Sequence, residues 1–223
     1  DRTQLTQLLS AVSSRITQLI ESFSLGNVIK NGVPVAIVGA TNTGKSTLLN
    51  TLVGEERAIV SNIHGTTRDV IEDTMNLGGI TFRFIDTAGI RETKETIEII
   101  GIERTYQKLK SAQVVILVLD ASRPENFKHS LVNLTDKISP RQQLVLVLNK
   151  MDETSEIGVE AQIDKIKDLC VEHSLSPIAV VPISAKKGEN IDDLQDVLVS
   201  SQNSWKSSAS TGGTLVSNIR HYQ

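Results

Sequence analysis

Cysteine is nearly absent from this chain of 223 residues, which contains only Cys170. A single thiol cannot form an intramolecular disulfide or complete a zinc site, so we expect neither to stabilise the fold. We interpret Cys170 as a half-buried core thiol within a helix. Scarce cysteine is consistent with a reducing compartment, and we expect a cytoplasmic protein.

Aromatic residues, excess charge of one sign and long apolar runs are also scarce. Aromatics make up 3% of the residues against 39% apolar residues, which favours an α/β core of Val, Ile, Leu and Ala. The net charge of −3 provides no global basic field for nucleic acid. No apolar run approaches the roughly 20 residues of a membrane span, and no signal-peptide pattern opens the chain, so we expect no membrane partner.

A glycine-rich phosphate-binding pattern is the strongest signal present. Residues 39–46 read GATNTGKS and match G-x-x-x-x-G-K-[ST]. An apolar run at 33–38 precedes them, and a helical pattern at 46–52 follows. Strand, glycine loop and helix together aim backbone N–H groups and a helix N-terminus at a phosphate chain.

The glycine-rich motif predicts which residues contact a nucleotide. We expect Lys45 to reach the β- and γ-phosphates and the Ser46 hydroxyl to bind Mg²⁺. The nucleotide-binding residues predicted here are Asn42, Thr43, Gly44, Lys45, Ser46 and Thr47. The alternative, a glycine-rich turn with a solvated lysine, is disfavoured by the motifs that follow.

Two further loops add groups for the phosphates. Asp86-Thr87-Ala88-Gly89 follows a predicted strand, where Asp86 can hold the Mg²⁺ shell through water and the Gly89 amide can contact the γ-phosphate. In Gly65-Thr66-Thr67-Arg68-Asp69, Thr67 can complete the Mg²⁺ shell when the γ-phosphate is present. Taken alone, each loop is also consistent with an ordinary polar turn.

Two later motifs are suited to a guanine base. In Asn149-Lys150-Met151-Asp152, the Asp152 carboxylate can accept hydrogen bonds from guanine N1–H and N2–H₂, a pair of donors that adenine lacks. The Lys150 stem can lie along the base. The loop Ser184-Ala185-Lys186 offers a backbone N–H to guanine O6. The two motifs favour a GTPase over an ATPase on the same fold.

Strand and helix patterns alternate along the chain. Strands are predicted at 81–86, 114–120, 144–149 and 178–183, and helices at 98–110, 127–137, 159–172 and 191–199. Residues 74–80 predict a hairpin with Gly78-Gly79 as its turn. We expect a three-layer α/β fold of the P-loop GTPase (Ras-like) type, with a mostly parallel sheet and one antiparallel edge strand.

Flanking segments extend this domain. Apolar residues at helical spacing predict a helix over 1–26, ending near Gly26, as a segment of a larger helical domain. We assign 33–202 to the G domain and 203–223 to a linker and the start of a returning helix. The absence of an initial methionine and a helical pattern at 215–223 suggest an excised piece of a longer protein.

The order and spacing of the five motifs resemble the TrmE–Era–EngA-like P-loop GTPases, and in particular the G domains of the MnmE (TrmE) family of tRNA-modification GTPases. The resemblance is carried by the 65–69 run, by Asp86-Thr87-Ala88-Gly89-Ile90-Arg91-Glu92 with the segment at 97–104, and by Leu215-Val216-Ser217-Asn218-Ile219-Arg220. It covers essentially the whole chain.

The resemblance implies how GTP is hydrolysed. Ile90 stands where many small GTPases carry the glutamine that orients the attacking water. MnmE-like proteins instead use a glutamate, here Glu98, acting through a second water, with Lys45 and Thr67 as further catalytic residues. Without the resemblance, Glu98 would be interpreted as a solvated residue at a helix start.

The resemblance also implies K⁺ and a homodimer formed through the G domains. The K⁺ ligands carried over are the Asn42 side chain, the backbone carbonyls of Ser61 and Ile63, and Thr66. The same loop places Asn62, His64 and Gly65 near the nucleotide. We interpret His64 as an exposed loop histidine, since the family often has a small residue there.

The full-length protein, by resemblance, modifies the wobble uridine of tRNA together with MnmG, a flavoprotein. A folate-binding domain and a C-terminal cysteine tail, both typical of the family, are not in this chain. One alternative is a ribosome-assembly GTPase of the Era or Der type. Another is a nucleotide-gated interaction module, such as the G domain of a ferrous-iron transporter.

Overall fold

The computed structural model describes residues 2–54, 73–85 and 109–209, and the fold is reported for these. The helices are α1 (Arg2–Asn31), α2 (Lys45–Gly54), α3 (Phe127–Thr135), α4 (Glu156–Glu172) and α5 (Ile191–Ala209). The strands are β1 (Val33–Val38), β2 (Asp73–Leu77), β3 (Ile80–Phe84), β4 (Val114–Asp120), β5 (Gln143–Asn149) and β6 (Ala179–Pro182). Short 3₁₀ turns follow β4 and β5 at Pro124–Asn126 and Met151–Glu153.

The six strands form one sheet in the order β2-β3-β1-β4-β5-β6. All neighbours pair in parallel except β2 and β3, which form the predicted hairpin and close with Leu77 opposite Ile80. Gly78 and Gly79 supply the turn at φ 55° and 78°, as a two-residue hairpin loop requires. The α/β fold with one antiparallel edge strand is confirmed, with strand ends shifted by one or two residues.

Each face of the sheet carries its own apolar core. Leu48, Leu49 and Leu52 of α2 join Ile191, Leu194 and Leu198 of α5 on one face. Phe127 and Leu131 of α3 join Ile166 of α4 on the other. Because both faces are covered, every residue of β4 is buried. Cys170 lies in the second core at 3% exposure, more deeply than predicted, and burial raises the pKa of its thiol.

Helix α1 continues past Gly26 to Asn31, so the predicted end near Gly26 is wrong. Val28 packs against the core, which favours continuing the helix. Gly32, at φ 79°, then donates its N–H to the Val28 carbonyl at 2.8 Å and caps the last turn. The helical pattern itself is confirmed, and six of its large apolar residues are exposed: Leu5, Leu8, Leu9, Val12, Ile16 and Leu19.

Helix α5 continues beyond the predicted end at Val199 to Ala209, so a linker does not begin at 203. Ser201 and Gln202 are buried at 7% and 4% exposure. Gln202 donates to Gln143 Oε1 at 2.9 Å and accepts from Gln113 Nε2 at 3.2 Å. These bonds to the starts of β4 and β5 hold the helix against the sheet. Over the described ranges, no helix combines the length and hydropathy of a membrane span.

Candidate nucleotide-binding site

The glycine loop between β1 and α2 is shaped by its backbone. Gly39 has φ 147°, and a Cβ there would overlap the Val118 carbonyl oxygen of β4. Asn42 adopts the left-handed conformation at φ 64°, which asparagine tolerates better than most residues. Thr43 closes the loop by donating its hydroxyl to the Ala40 carbonyl at 3.0 Å. Successive amides in such turned conformations form a concave donor surface that suits an anion.

Lys45 lies across this loop. Its Nζ donates to the Ala40 carbonyl at 2.6 Å, and burial lowers the pKa of its ammonium group from the ordinary value. Ser46 is half-buried in the first turn of α2, where the helix N-terminus favours negative charge. The partly desolvated ammonium group of Lys45 fits a phosphate chain. The half-buried hydroxyl of Ser46 fits Mg²⁺, which keeps several waters and substrate oxygens as its other ligands.

Asn149 connects the glycine loop to the base-binding motifs. This residue ends β5 and is 3% exposed. Its Nδ2 donates to the Thr43 carbonyl at 2.8 Å, and its Oδ1 accepts the Ala185 N–H at 3.0 Å. Thr51 of α2 adds a second connection by donating to the Ala185 carbonyl at 3.0 Å. Three segments far apart in sequence are thereby held together.

Asp152 stands in the 3₁₀ turn after β5. A hydrogen bond from the Ser184 side chain, with smaller contributions from Lys187 and Lys186, lowers the pKa of Asp152 below the ordinary carboxyl value. The group is therefore ionised at neutral pH. An ionised carboxylate only accepts hydrogen bonds, as guanine N1–H and N2–H₂ require.

Lys150 has an ion-pair partner that was not predicted. It adopts the left-handed conformation at φ 67° and ψ 34°, and its Nζ contacts Asp120 Oδ2 at 2.6 Å. Asp120 ends β4 directly beside Asn149 in the register of the sheet. The backbone ladder continues one residue further, since Ala121 N–H donates to the Asn149 carbonyl at 2.9 Å. The only hint in the sequence is an acid at the end of an apolar strand.

Twelve of the predicted site residues lie outside the described residues. They are Ser61, Asn62, Ile63, His64, Gly65, Thr66, Thr67, Asp86, Thr87, Ala88, Gly89 and Glu98. Their roles remain predictions. Within the described ranges, no three His, Cys, Asp or Glu side chains cluster as a metal site.

Comparison with known families decides the class of this site. Residues 34–150, from β1 through the end of β5 to Lys150, match the family described as 50S ribosome-binding GTPases. The chain belongs to this GTPase family. The chain is accordingly a GTPase domain that binds GTP and GDP, as the glycine loop and the acid at the base-binding motif predict.

Individual relatives of this GTPase domain are similar over its whole length. The chain is 51% identical over 226 residues to the tRNA modification GTPase MnmE of Bacteroides fragilis (strain YCH46), covering 100% of the chain and 47% of that protein. It is 46% identical to the MnmE of Porphyromonas gingivalis, with 100% and 46% covered. The domain thus spans about half the length of the curated relatives it matches.

Solved structures place the GTPase domain near Era. Era in complex with MgGDPNP and 16S ribosomal RNA is 34% identical, with a TM-score of 0.56, covering 75% of this chain and 56% of that one. A GTP-binding protein of Sulfolobus solfataricus in complex with GDP has a TM-score of 0.59 at 20% identity, covering 91% and 61%. At that identity the likeness concerns the fold alone.

Proposed function

We propose that this domain hydrolyses GTP by a K⁺-stimulated mechanism that requires two G domains to meet, within a protein that acts in tRNA wobble-uridine modification. The observation that carries the proposal is the 51% identity to an MnmE protein over the entire chain. By the same argument, the partners of the full-length protein are tRNA and an MnmG-type flavoprotein. Its compartment is the cytoplasm.

The proposed reaction is the attack of water on the γ-phosphorus. The bond from that phosphorus to the β–γ bridging oxygen breaks, and GDP, inorganic phosphate and a proton leave. Lys45 and the loop amides would bind the phosphate oxygens as negative charge builds up, and Ser46 and Thr67 would hold Mg²⁺. Glu98 orients the water, and Asp152 selects guanine.

The K⁺ site is proposed around Asn42, with oxygens from Ser61, Ile63 and Thr66. Support comes from the position of Asn42 in the glycine loop, where its exposed side-chain amide has an oxygen to offer. K⁺ bound by these residues would supply positive charge to the transition state, as an arginine finger does in other GTPases.

The decisive experiment compares GTP turnover in KCl and NaCl at equal ionic strength. Light scattering follows the mass with GDP alone and with GDP and aluminium fluoride. We expect faster turnover in KCl and a dimer only with the transition-state mimic. Equal rates in both salts, with a monomer throughout, would reject the proposal.

Two variants make the experiment specific. Asn42→Gly removes the proposed ligand without straining a left-handed residue, and we expect its rate in KCl to fall to its rate in NaCl. Glu98→Gln should lose turnover while retaining affinity for GDP. An unchanged K⁺ response in Asn42→Gly would reject the K⁺ ligand.

The Era-like solved structures favour a second candidate, a GTPase that acts on ribosomal RNA. Their identity of 34% over three quarters of the chain is lower than that of the MnmE relatives. A pull-down with the full-length protein that compares the amounts of bound tRNA and bound 16S ribosomal RNA distinguishes the two candidates.

A further inference from the structure

Asp120 is a buried carboxylate that no motif of the domain includes. It is 7% exposed at the end of β4. Its Oδ2 accepts a hydrogen bond from Lys150 Nζ at 2.6 Å. Its Oδ1 accepts two, from the Ser122 backbone N–H at 2.9 Å and from the Ser122 hydroxyl at 2.6 Å. Both oxygens have partners, so the carboxylate is held in one orientation.

The strand register brings Asp120 and Lys150 together. Asp120 lies opposite Asn149 in the β4–β5 pairing, and Lys150 is the next residue along the chain. The left-handed turn at Lys150 directs the chain out of the strand and into the 3₁₀ turn that carries Asp152. The ion pair therefore joins the ends of two neighbouring strands at the place where the base-binding motif begins.

The Asp120 carboxyl group is ionised at neutral pH. Burial alone would raise the pKa of Asp120, but the hydrogen bonds from Lys150 and Ser122 outweigh burial and hold the pKa below its ordinary value. Lys150 is 26% exposed, so its stem is accessible although its ammonium group is engaged. An ion pair with one nearly buried partner is screened less by salt than an exposed pair.

We propose that Asp120 is a positioning residue for nucleotide binding, which fixes the Lys150 stem along the guanine position before the nucleotide arrives. A free lysine side chain has many rotamers and loses that freedom when a ligand orders it. Because Asp120 holds Nζ, the side chain of Lys150 loses this conformational freedom when the protein folds and not when the nucleotide binds. This inference rests on the proposed contact of Lys150 with guanine.

The test is a double-mutant cycle with Asp120→Asn and Lys150→Met, read as the Kd for a fluorescent GDP. Asp120→Asn alone should weaken binding about fivefold, the loss expected from one newly mobile side chain. The kcat at saturating GTP should stay unchanged. In the Lys150→Met background the same substitution should change Kd less than about twofold, because coupled residues are non-additive.

If Asp120 only stabilised the fold and did not position Lys150, a different result would be expected. Its loss would then weaken binding equally in both backgrounds, and that additivity would overturn the inference. Asp164→Asn is the matched control, since Asp164 pairs with Lys167 at 3.2 Å on the exposed surface of α4. It should leave Kd unchanged.

Two further outcomes keep the inferences separable. If Lys150→Met leaves Kd unchanged, both the guanine contact and the role of Asp120 are rejected. If Lys150→Met weakens binding while Asp120→Asn does not, only the role of Asp120 is rejected. Should Asp120→Asn fail to fold, Ser122→Ala decides instead. It removes the hydroxyl donor to Oδ1 and keeps the backbone N–H donor, so it should raise Kd about twofold in the Lys150 background only.

Discussion

The two ends of the nucleotide site are built in different ways. The glycine loop is shaped by backbone conformation, with Gly39 against the Val118 carbonyl and Asn42 in the left-handed region. The base end is held by side chains, chiefly Asn149, and by the ion pair between Asp120 and Lys150. A single substitution should therefore have a large effect at the glycine loop, whereas substitutions at the base end should have smaller, graded effects.

The largest effect is expected for Gly39→Ala. The new Cβ would overlap a backbone oxygen at a φ that other residues rarely adopt, so the loop must move. Strain and overlap of this kind cost about 3 kcal/mol together, and we expect GDP affinity to fall about 100-fold by titration calorimetry.

Gly54→Ala is the control for that substitution. A Cβ at Gly54 meets nothing within 4 Å, and the residue ends α2 away from the loop. Its affinity for GDP should match the wild type. A Gly39→Ala protein that binds GDP normally would show that the loop shape is not set by its backbone.

Asn149→Ala should give the next largest effect. It leaves the Thr43 carbonyl and the Ala185 N–H without their partners in a buried place. The free energy of unfolding should fall by about 2–4 kcal/mol, measured by urea denaturation without nucleotide. Asn149→Asp keeps an acceptor for Ala185 but loses the donor to Thr43, so full stability in that variant would contradict the bridging role.

Thr51→Val should give a smaller effect. Valine keeps the shape but loses the hydroxyl, which contacts the Ala185 carbonyl and, within α2, the Thr47 carbonyl, each at 3.0 Å. We expect a loss of about 1 kcal/mol in the free energy of unfolding. The control is Thr135→Val, whose hydroxyl bonds only within α3, to Leu131 at 3.1 Å. Equal losses in both variants would show that the connection between α2 and the 184–186 loop adds no stability.

The smallest expected effect is the pH dependence of Asp120. Its pKa is lower in the folded protein than in the unfolded chain, so its stabilisation is complete above the ordinary value of 3.8 and is lost as pH falls through the folded pKa. The stability difference between wild type and Asp120→Asn should therefore be constant from pH 7 to about pH 5 and shrink below pH 4. A difference that grows on acidification would show the opposite sign of shift.

The sequence predicted the site motifs better than the contacts between them. The strand, loop and helix at 33–54 have local patterns, and the structure contains all three. The bond from Asn149 to Thr43 and the ion pair from Lys150 to Asp120 join residues 106 and 30 positions apart. Local sequence patterns cannot predict these contacts, because they depend on the register between strands of the sheet.

The two boundary errors have a similar cause. Gly26 lowers helix propensity, but the contact of Val28 with the core carries α1 on to Asn31. The predicted end of the last helix at Val199 leaves out Ser201 and Gln202, yet their partners lie 58 to 89 residues away at the starts of β4 and β5. In both places tertiary contacts override composition.

The backbone bond from Ala121 to Asn149 has a consequence for isotope exchange. This amide extends the β4–β5 ladder into the base end of the site, and the Met151 N–H bonds the Ile183 carbonyl at 3.1 Å beside it. Amides held in this way exchange with deuterium only when the sheet opens, so both should be protected before any nucleotide binds. Their signals would then report directly whether the guanine end is formed in the nucleotide-free protein.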